Sequence, residues 1–437
     1  MVNSIKNQAF RKLHSLSGLI ERAKGQSIFS STDGDALEMF EGFIGFFKTY
    51  FEEIEDAVYI DFHETLAKRI VPLFSLINPQ NTSDIPWSLI PAFERVLKTE
   101  LGDEYGLILR ADWNYNYTVY THDLGSYLNQ VLHLFLPERV KDFADAYVKK
   151  AIHVFSFPII EKNNAVLNTA LGHEIGHFFH DKWEKSEDGK RLFESANKIL
   201  WGEYSQKEPN DLFLPFQKTE KGLLVLKGMY REIISDLVGY LLFGPSMLYA
   251  LFYISNLEAD IVKPVEENDY YPPLKYRIRT LKQIVDNDEE VQKLIDSESH
   301  SVLKIKDLHM SIDEYLSDRK DLEVLDDFLI ERKFLEESVS ERLSYLDERI
   351  TQSRISYEHI LVLDSLLDND IPINELERKP VELNKIILVG WYYYFRLLDY
   401  NDKDEYVKQF QQSMRLLLKS VYSSYVQQNF ISAKARV

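Results

Sequence analysis

His173-Glu174-Ile175-Gly176-His177 sets two imidazoles four positions apart, with a carboxylate directly after the first. A helix turns about 100° per residue, so His177 lies about 40° round from His173 and both rings can share one ion. Glu174 lies beside the pair rather than under it. There its carboxylate can take a proton from metal-bound water instead of binding the metal. A catalytic zinc site needs a third protein ligand and an open position for water. His180 is the nearest candidate on the same face, but a third imidazole from one stiff helix reaches a shared ion poorly. Glu232 and Asp236 are better placed, four apart on one helical face and set among Ile233, Ile234, Leu237 and Val238. Glu232 can be the third ligand while Asp236 accepts the free N–H of a ligating imidazole. Against the alternative of an ordinary exposed acid pair, two carboxylates in apolar surroundings need a cation.

These residues need elements to hold them. Leu167, Leu171, Ile175 and Phe178 fall on the side of the first helix opposite the histidines, which predicts a dry face anchored in a core and a wet face carrying the chemistry. Upstream, Leu37, Phe40, Ile44, Phe47, Phe51 and Ile54 recur at spacings of three and four, the broad apolar face of a helix. Residues 78–86 read as a loop, with Asp84 and Pro86 starting the next helix. From Trp113 to Tyr120 large apolar residues take every second position, the alternation of a half-buried strand, and Ile152 to Ile160 is a second strand candidate. His153 lies in that second strand as a core or edge histidine. Charge-laced helices, as in 321–350, follow from about residue 285 and read as solvated faces. The expected fold is mainly α with a small β-sheet (α+β), a core flanked by helical regions. Its expected parts are a helical region 1–100, a catalytic core 101–285 and a charged helical region 286–437.

Composition narrows the chemistry. The 437 residues include 70 Asp plus Glu, 51 Lys plus Arg and no cysteine, for a formal net charge of −19. Without thiols there is no disulfide framework, Cys-ligated metal or thiol nucleophile, so any metal is held by His and carboxylate. The acidic balance argues against nucleic acid, which recruits clustered Lys and Arg. The first 25 residues read as an amphipathic helix rather than a signal peptide, which points to a cytoplasmic protein. Leu237 to Asn256 is uncharged and approaches the length of a membrane span, but Gly244-Pro245-Ser246 divides it into two buried helices.

His173 to His177 followed by Glu232-Ile233-Ile234-Ser235-Asp236 resembles the gluzincin zinc metallopeptidases, which pair a two-histidine helix with a Glu-x-x-Ser-Asp helix. Tyr271-Pro272-Pro273-Leu274-Lys275-Tyr276-Arg277-Ile278 is similar to a His-Pro-Pro-x-x-x-Arg-Ile segment of the HtpX-type prenyl-protein and stress-response peptidases, whose soluble relatives lack membrane helices. Tyr271 stands where that family has His. The resemblance covers about residues 150–285. It implies one Zn2+ on His173, His177 and Glu232, Glu174 as general base and later acid, Asp236 as the orienting partner, and a structural or substrate-side role for Arg277. The expected function is peptide hydrolysis by zinc-activated water on a peptide or protein substrate. The alternatives are a non-peptidase hydrolase using the same zinc site, and a non-catalytic or restrained scaffold that binds a protein partner through its helical flanks. Tyr240, Tyr270, Tyr271, Arg277, His300 and His309 remain candidates for stabilising the carbonyl oxygen, with none assigned.

Overall fold

A computed structural model describes residues 2–25, 31–77, 88–112, 117–119, 123–187, 220–257, 272–296, 300–317, 342–348, 380–397 and 401–434, with a few single positions besides. Cα packing divides the chain into two compact units, Met1–Lys162 and Asn163–Val437. The architecture is mainly helical with one small sheet, as the sequence leads one to expect.

The first unit is built on aromatic packing. Helices α1 (Val2–Lys24) and α2 (Ser31–Thr49) lie against α3 (Tyr59–Thr65), which runs through a π-turn into α4 (Val71–Ile77). All six apolar residues predicted for one helical face, from Leu37 to Ile54, are buried, although the α-helix itself ends at Thr49. Phe43 meets Phe47 edge-to-face at 4.9 Å, and Phe47 leads on to Phe62 at 4.8 Å, so burial is reinforced by ring geometry. After α5 (Ile90–Leu101), Gly102 turns the chain at φ 116, in the left-handed region glycine tolerates best. Strands β1 (Tyr105–Asp112), β2 (Thr118–Val119) and β3 (Ala151–Pro158) form a sheet of order β1-β3-β2. β1 and β3 are parallel, from Tyr105 opposite Ala151 to Asp112 opposite Pro158, and β2 is antiparallel to β3. Helices α6 (Leu124–Phe135) and α7 (Val140–Tyr147) supply the crossover a parallel pair requires. Asp123 caps α6, its carboxylate accepting from Ser126 N at 3.0 Å. A buried ion pair, Arg110 to Asp33 at 2.9 Å, ties β1 to α2.

Of the predicted strand 113–120, Thr118–Val119 is a strand, while Trp113–Asn116 and Tyr120 lie outside the described residues. The second predicted strand is present, ending at Pro158. β1 was not anticipated. Gly106 to Arg110 are buried one after another, so both faces are covered and no alternation marks the strand. The predicted loop 78–86, with Asp84 and Pro86, and most of the charged run 321–350 lie outside the described residues.

Among the described residues the second unit is helical: α8 (Leu171–Lys185), α9 (Glu220–Phe243), α10 (Ser246–Leu257), α11 (Leu274–Asp286), α12 (Glu289–Asp296), α13 (His300–Ser317), α14 (Leu383–Leu397) and α15 (Lys403–Lys434). The uncharged stretch after Asp236 is broken as predicted. α9 ends at Phe243, Gly244 takes φ 58, and α10 starts at Ser246. No helix among the described residues is long and apolar enough to cross a membrane. Trp391 of α14 is buried against Tyr249 and donates to Thr169 Oγ1 at 3.4 Å, bracing the 3-10 turn Leu167–Ala170 that leads into α8.

Candidate metal centre

α8 and α9 run antiparallel along each other. Gly172 of α8 faces Gly239 and Phe243, Gly176 faces Ser235, and Asp181 meets Arg231 at 3.2 Å. The approach is close because a glycine stands at each crossing. A Cβ on Gly176 would lie 2.5 Å from Ser235 Cα and 2.6 Å from Ser235 O. Gly176 therefore does more than separate the two histidines; it lets the backbone of α9 reach them. This corrects the predicted wet face: Leu171 to His180 are buried without interruption, because α9 covers the histidine side. Leu167, Leu171, Ile175 and Phe178 are buried, as their periodicity requires.

Across this contact the structure brings together His173, His177 and Glu232, each with one ligand atom within 4.8 Å of the others. Glu232 Oε2 is 3.1 Å from His173 Nε2, and Glu232 Oε1 is 3.6 Å from His177 Nε2. Tetrahedral donors about 2.0–2.1 Å from an ion stand about 3.3 Å apart, and these separations bracket that value. The three residues are 7–9% exposed.

Hydrogen bonds on the far side of each ring fix which nitrogen faces the centre. His173 Nδ1 lies 2.8 Å from Asp236 Oδ1, so this nitrogen donates and Nε2 turns its lone pair toward Glu232. Ser235 Oγ donates to Arg231 O at 2.9 Å, which commits its proton. His177 Nδ1, 2.9 Å from the same Oγ, is then the donor, and its Nε2 also presents a lone pair inward. Glu232 Oε2 is buried and has no hydrogen-bond partner among the described residues. Two imidazole lone pairs and a carboxylate converge where only a cation satisfies all three. The set fits a metal ion.

Electrostatics agree. Burial alone would lower the His173 pKa, but the charge and hydrogen bond of Asp236, reinforced by Glu232, raise it to about 9. A proton there stands in for a metal. Burial and then the neighbouring His173 and Arg231 push His177 well below its ordinary value, so the pair does not take two protons. Burial would raise Asp236, yet the Arg277 charge and hydrogen bonds, with His173, bring it down to about 2.

Arg277 enters from α11 and is spent on Asp236, with Nε to Oδ2 and Nη2 to Oδ1 both at 2.7 Å, while its Nη1 stands 3.9 Å from Glu232 Oε2. Burial would lower its pKa, but Asp236, Glu232 and Glu174 raise it, so it stays charged. Glu174, 7% exposed, lies in the first turn of α8.

The remaining candidates are elsewhere or already bonded. Tyr240 donates to Asp288 at 2.7 Å, His309 Nε2 is 3.1 Å from Tyr249 OH, and His180 Nδ1 is 3.5 Å from Asp181. Tyr270 and Tyr271 lie outside the described residues, as does the side chain of His300. His153 is buried in the central strand of the first unit's sheet, its ring stacked with Tyr105 at 6.0 Å. Ser235 is the residue sequence reasoning passed over. Its signal was present, because each ligating imidazole needs a partner at its other nitrogen, and Ser235 and Asp236 are consecutive on the facing helix. Comparisons with protein-family models, curated proteins and solved structures find no match to this chain.

Proposed function

We propose that the chain is a zinc-dependent peptidase with a zincin-like core of gluzincin type. The observation that carries this is the inward convergence of His173 Nε2, His177 Nε2 and the Glu232 carboxylate, with Glu174 directly after the first ligand. Two imidazoles and a carboxylate are a donor set for zinc that leaves one coordination position open. Bound there, zinc supplies Lewis acidity, polarising a peptide carbonyl and making water a nucleophile near neutral pH. Glu174 removes the proton of the attacking water and delivers it to the leaving amine. Asp236 and Ser235 hold the two rings in the ligating tautomer, and Arg277 holds Asp236 ionised.

The test is metal analysis of the purified wild type, His177→Ala and Glu232→Ala, followed by a peptide-library screen of wild type and Glu174→Gln. About one zinc per chain, lost in both ligand variants, and cleavage by wild type alone are the expected results. A zinc-free wild type overturns the metal site. Undiminished zinc in Glu232→Ala moves the third ligand, and equal inertness of wild type and Glu174→Gln favours a scaffold.

A further inference from the structure

α15 departs from the rest of the chain in charge. From Tyr406 to Val437 there is no Asp or Glu, and Lys408, Arg415, Lys419, Lys434 and Arg436 are all basic, in a protein of net charge −19. The inward side of this helix is settled by packing. Met414, Leu417 and Val421 are buried, and Leu417 closes on Gly390 of α14, where a Cβ would come within 2.6 Å of its Cδ1. The outward side carries two kinds of residue along one ridge. Arg415 and Lys419 are exposed in its middle, and Tyr422, Val426 and Phe430 continue the ridge at intervals of four, 45–61% exposed. Lys408 begins the ridge, paired with Glu405 at 3.3 Å. From Asn429 to Lys434, the last turn and a half of the helix, every residue is exposed. Phe430 and Ile431, about 100° apart round that turn, are both open to solvent, and Lys434 lies over the Phe430 ring at 4.7 Å.

We infer that the outward face and exposed tip of α15 dock on an anionic lipid surface. Charge complementarity selects the partner's sign, since this is an acid-free, basic segment on an acidic chain. Geometry selects a lipid phase. A flat protein face can cover one side of a helix, whereas a tip apolar on two sides is satisfied by a medium that surrounds it. The rings of Tyr422 and Phe430 suit the boundary between headgroups and acyl chains, and Arg415, Lys419 and Lys434 reach phosphates with their stems along the apolar ridge. The acidic remainder is repelled by the same surface, so only α15 faces it.

The test is co-flotation of the full-length protein with vesicles of phosphatidylcholine alone or with about one third phosphatidylserine. Binding to the anionic vesicles only, lost in 0.5 M NaCl, is expected. Arg415→Gln with Lys419→Gln weakens it about 25-fold, at about five-fold for each cation near an anionic surface. Phe430→Ser with Ile431→Ser weakens it at least ten-fold with bound zinc and thermal midpoint unchanged, because both side chains are more than half exposed. No binding to either vesicle overturns the inference, as does binding that neither variant weakens. Concentration-dependent oligomers dispersed by the same variants, without vesicle binding, assign the face to a second copy instead.

Discussion

Asp236 stands between a cation and an imidazole: Arg277 grips both of its oxygens at 2.7 Å, and His173 Nδ1 meets Oδ1 at 2.8 Å. The carboxylate is thereby held ionised in a buried place and passes its charge to the ring that faces the candidate metal centre. Asp236→Asn keeps the shape but leaves the Arg277 charge without its partner and allows the amide to present N–H to the ring. Metal affinity is expected to fall about 10–100-fold, read by competition with a chromogenic chelator. Unchanged affinity would show that the imidazole is oriented by packing alone.

Gly176→Ala tests the approach of the helices. With a Cβ 2.5 Å from Ser235 Cα, α9 must move off, carrying Glu232 from the histidines. Overpacking of this kind costs about 1–3 kcal/mol, and zinc content should fall with it. Gly18→Ala in α1 is the contrast, since no atom of the described residues lies within 4 Å of its added methyl. There the exchange should stabilise by about 0.5–1 kcal/mol. Calorimetry of the two variants separates a steric role from helix propensity.

Metal affinity should also depend on pH. In the metal-free protein His173 titrates near 9, above its ordinary 6.5, so its contribution to stability is complete below pH 6.5 and is lost as pH rises through 9. A metal must displace that proton, so affinity should rise by about ten-fold per pH unit across this window. Asp236 acts at the other end. Its pKa of about 2 is below the ordinary 3.8, so its contribution is present above 3.8 and is lost as pH falls through 2. Chelator competition at pH 6, 7 and 8, corrected for protonation of the chelator, checks the first statement. A flat profile would mean that His173 is neutral without metal.

The parts of this site legible in the sequence are those with a local period. His173 and His177 share a face by helix geometry alone, and Glu232 and Asp236 announced burial through their apolar neighbours. Arg277 was reached only through a resemblance, because its function depends on a carboxylate 41 positions away, a separation no period encodes. Gly176 was given no role from the sequence, since a close crossing depends on what the partner helix brings. The same holds for β1, whose burial on both faces removes the alternation that exposed the second strand. The helical character and the small sheet follow from composition and period; the closeness of α8 and α9 follows from two long-range contacts at glycines.

Ser235→Ala isolates the second orienting bond. Ser235 Oγ receives His177 Nδ1–H at 2.9 Å while its own proton goes to Arg231 O, so among the described residues the hydroxyl tells His177 which nitrogen to turn inward. Alanine fits the space and is at home in a helix, so folding should be preserved. A buried Nδ1–H then lacks its acceptor, at a cost of about 1–3 kcal/mol. The ring relieves that cost by moving its proton to Nε2, the nitrogen the metal needs. Zinc affinity should drop about ten-fold or more with the thermal midpoint of the metal-free protein little changed, and Ser235→Thr, which restores the hydroxyl, should recover it. Equal affinity in wild type and Ser235→Ala would mean that the tautomer of His177 is set by the metal itself.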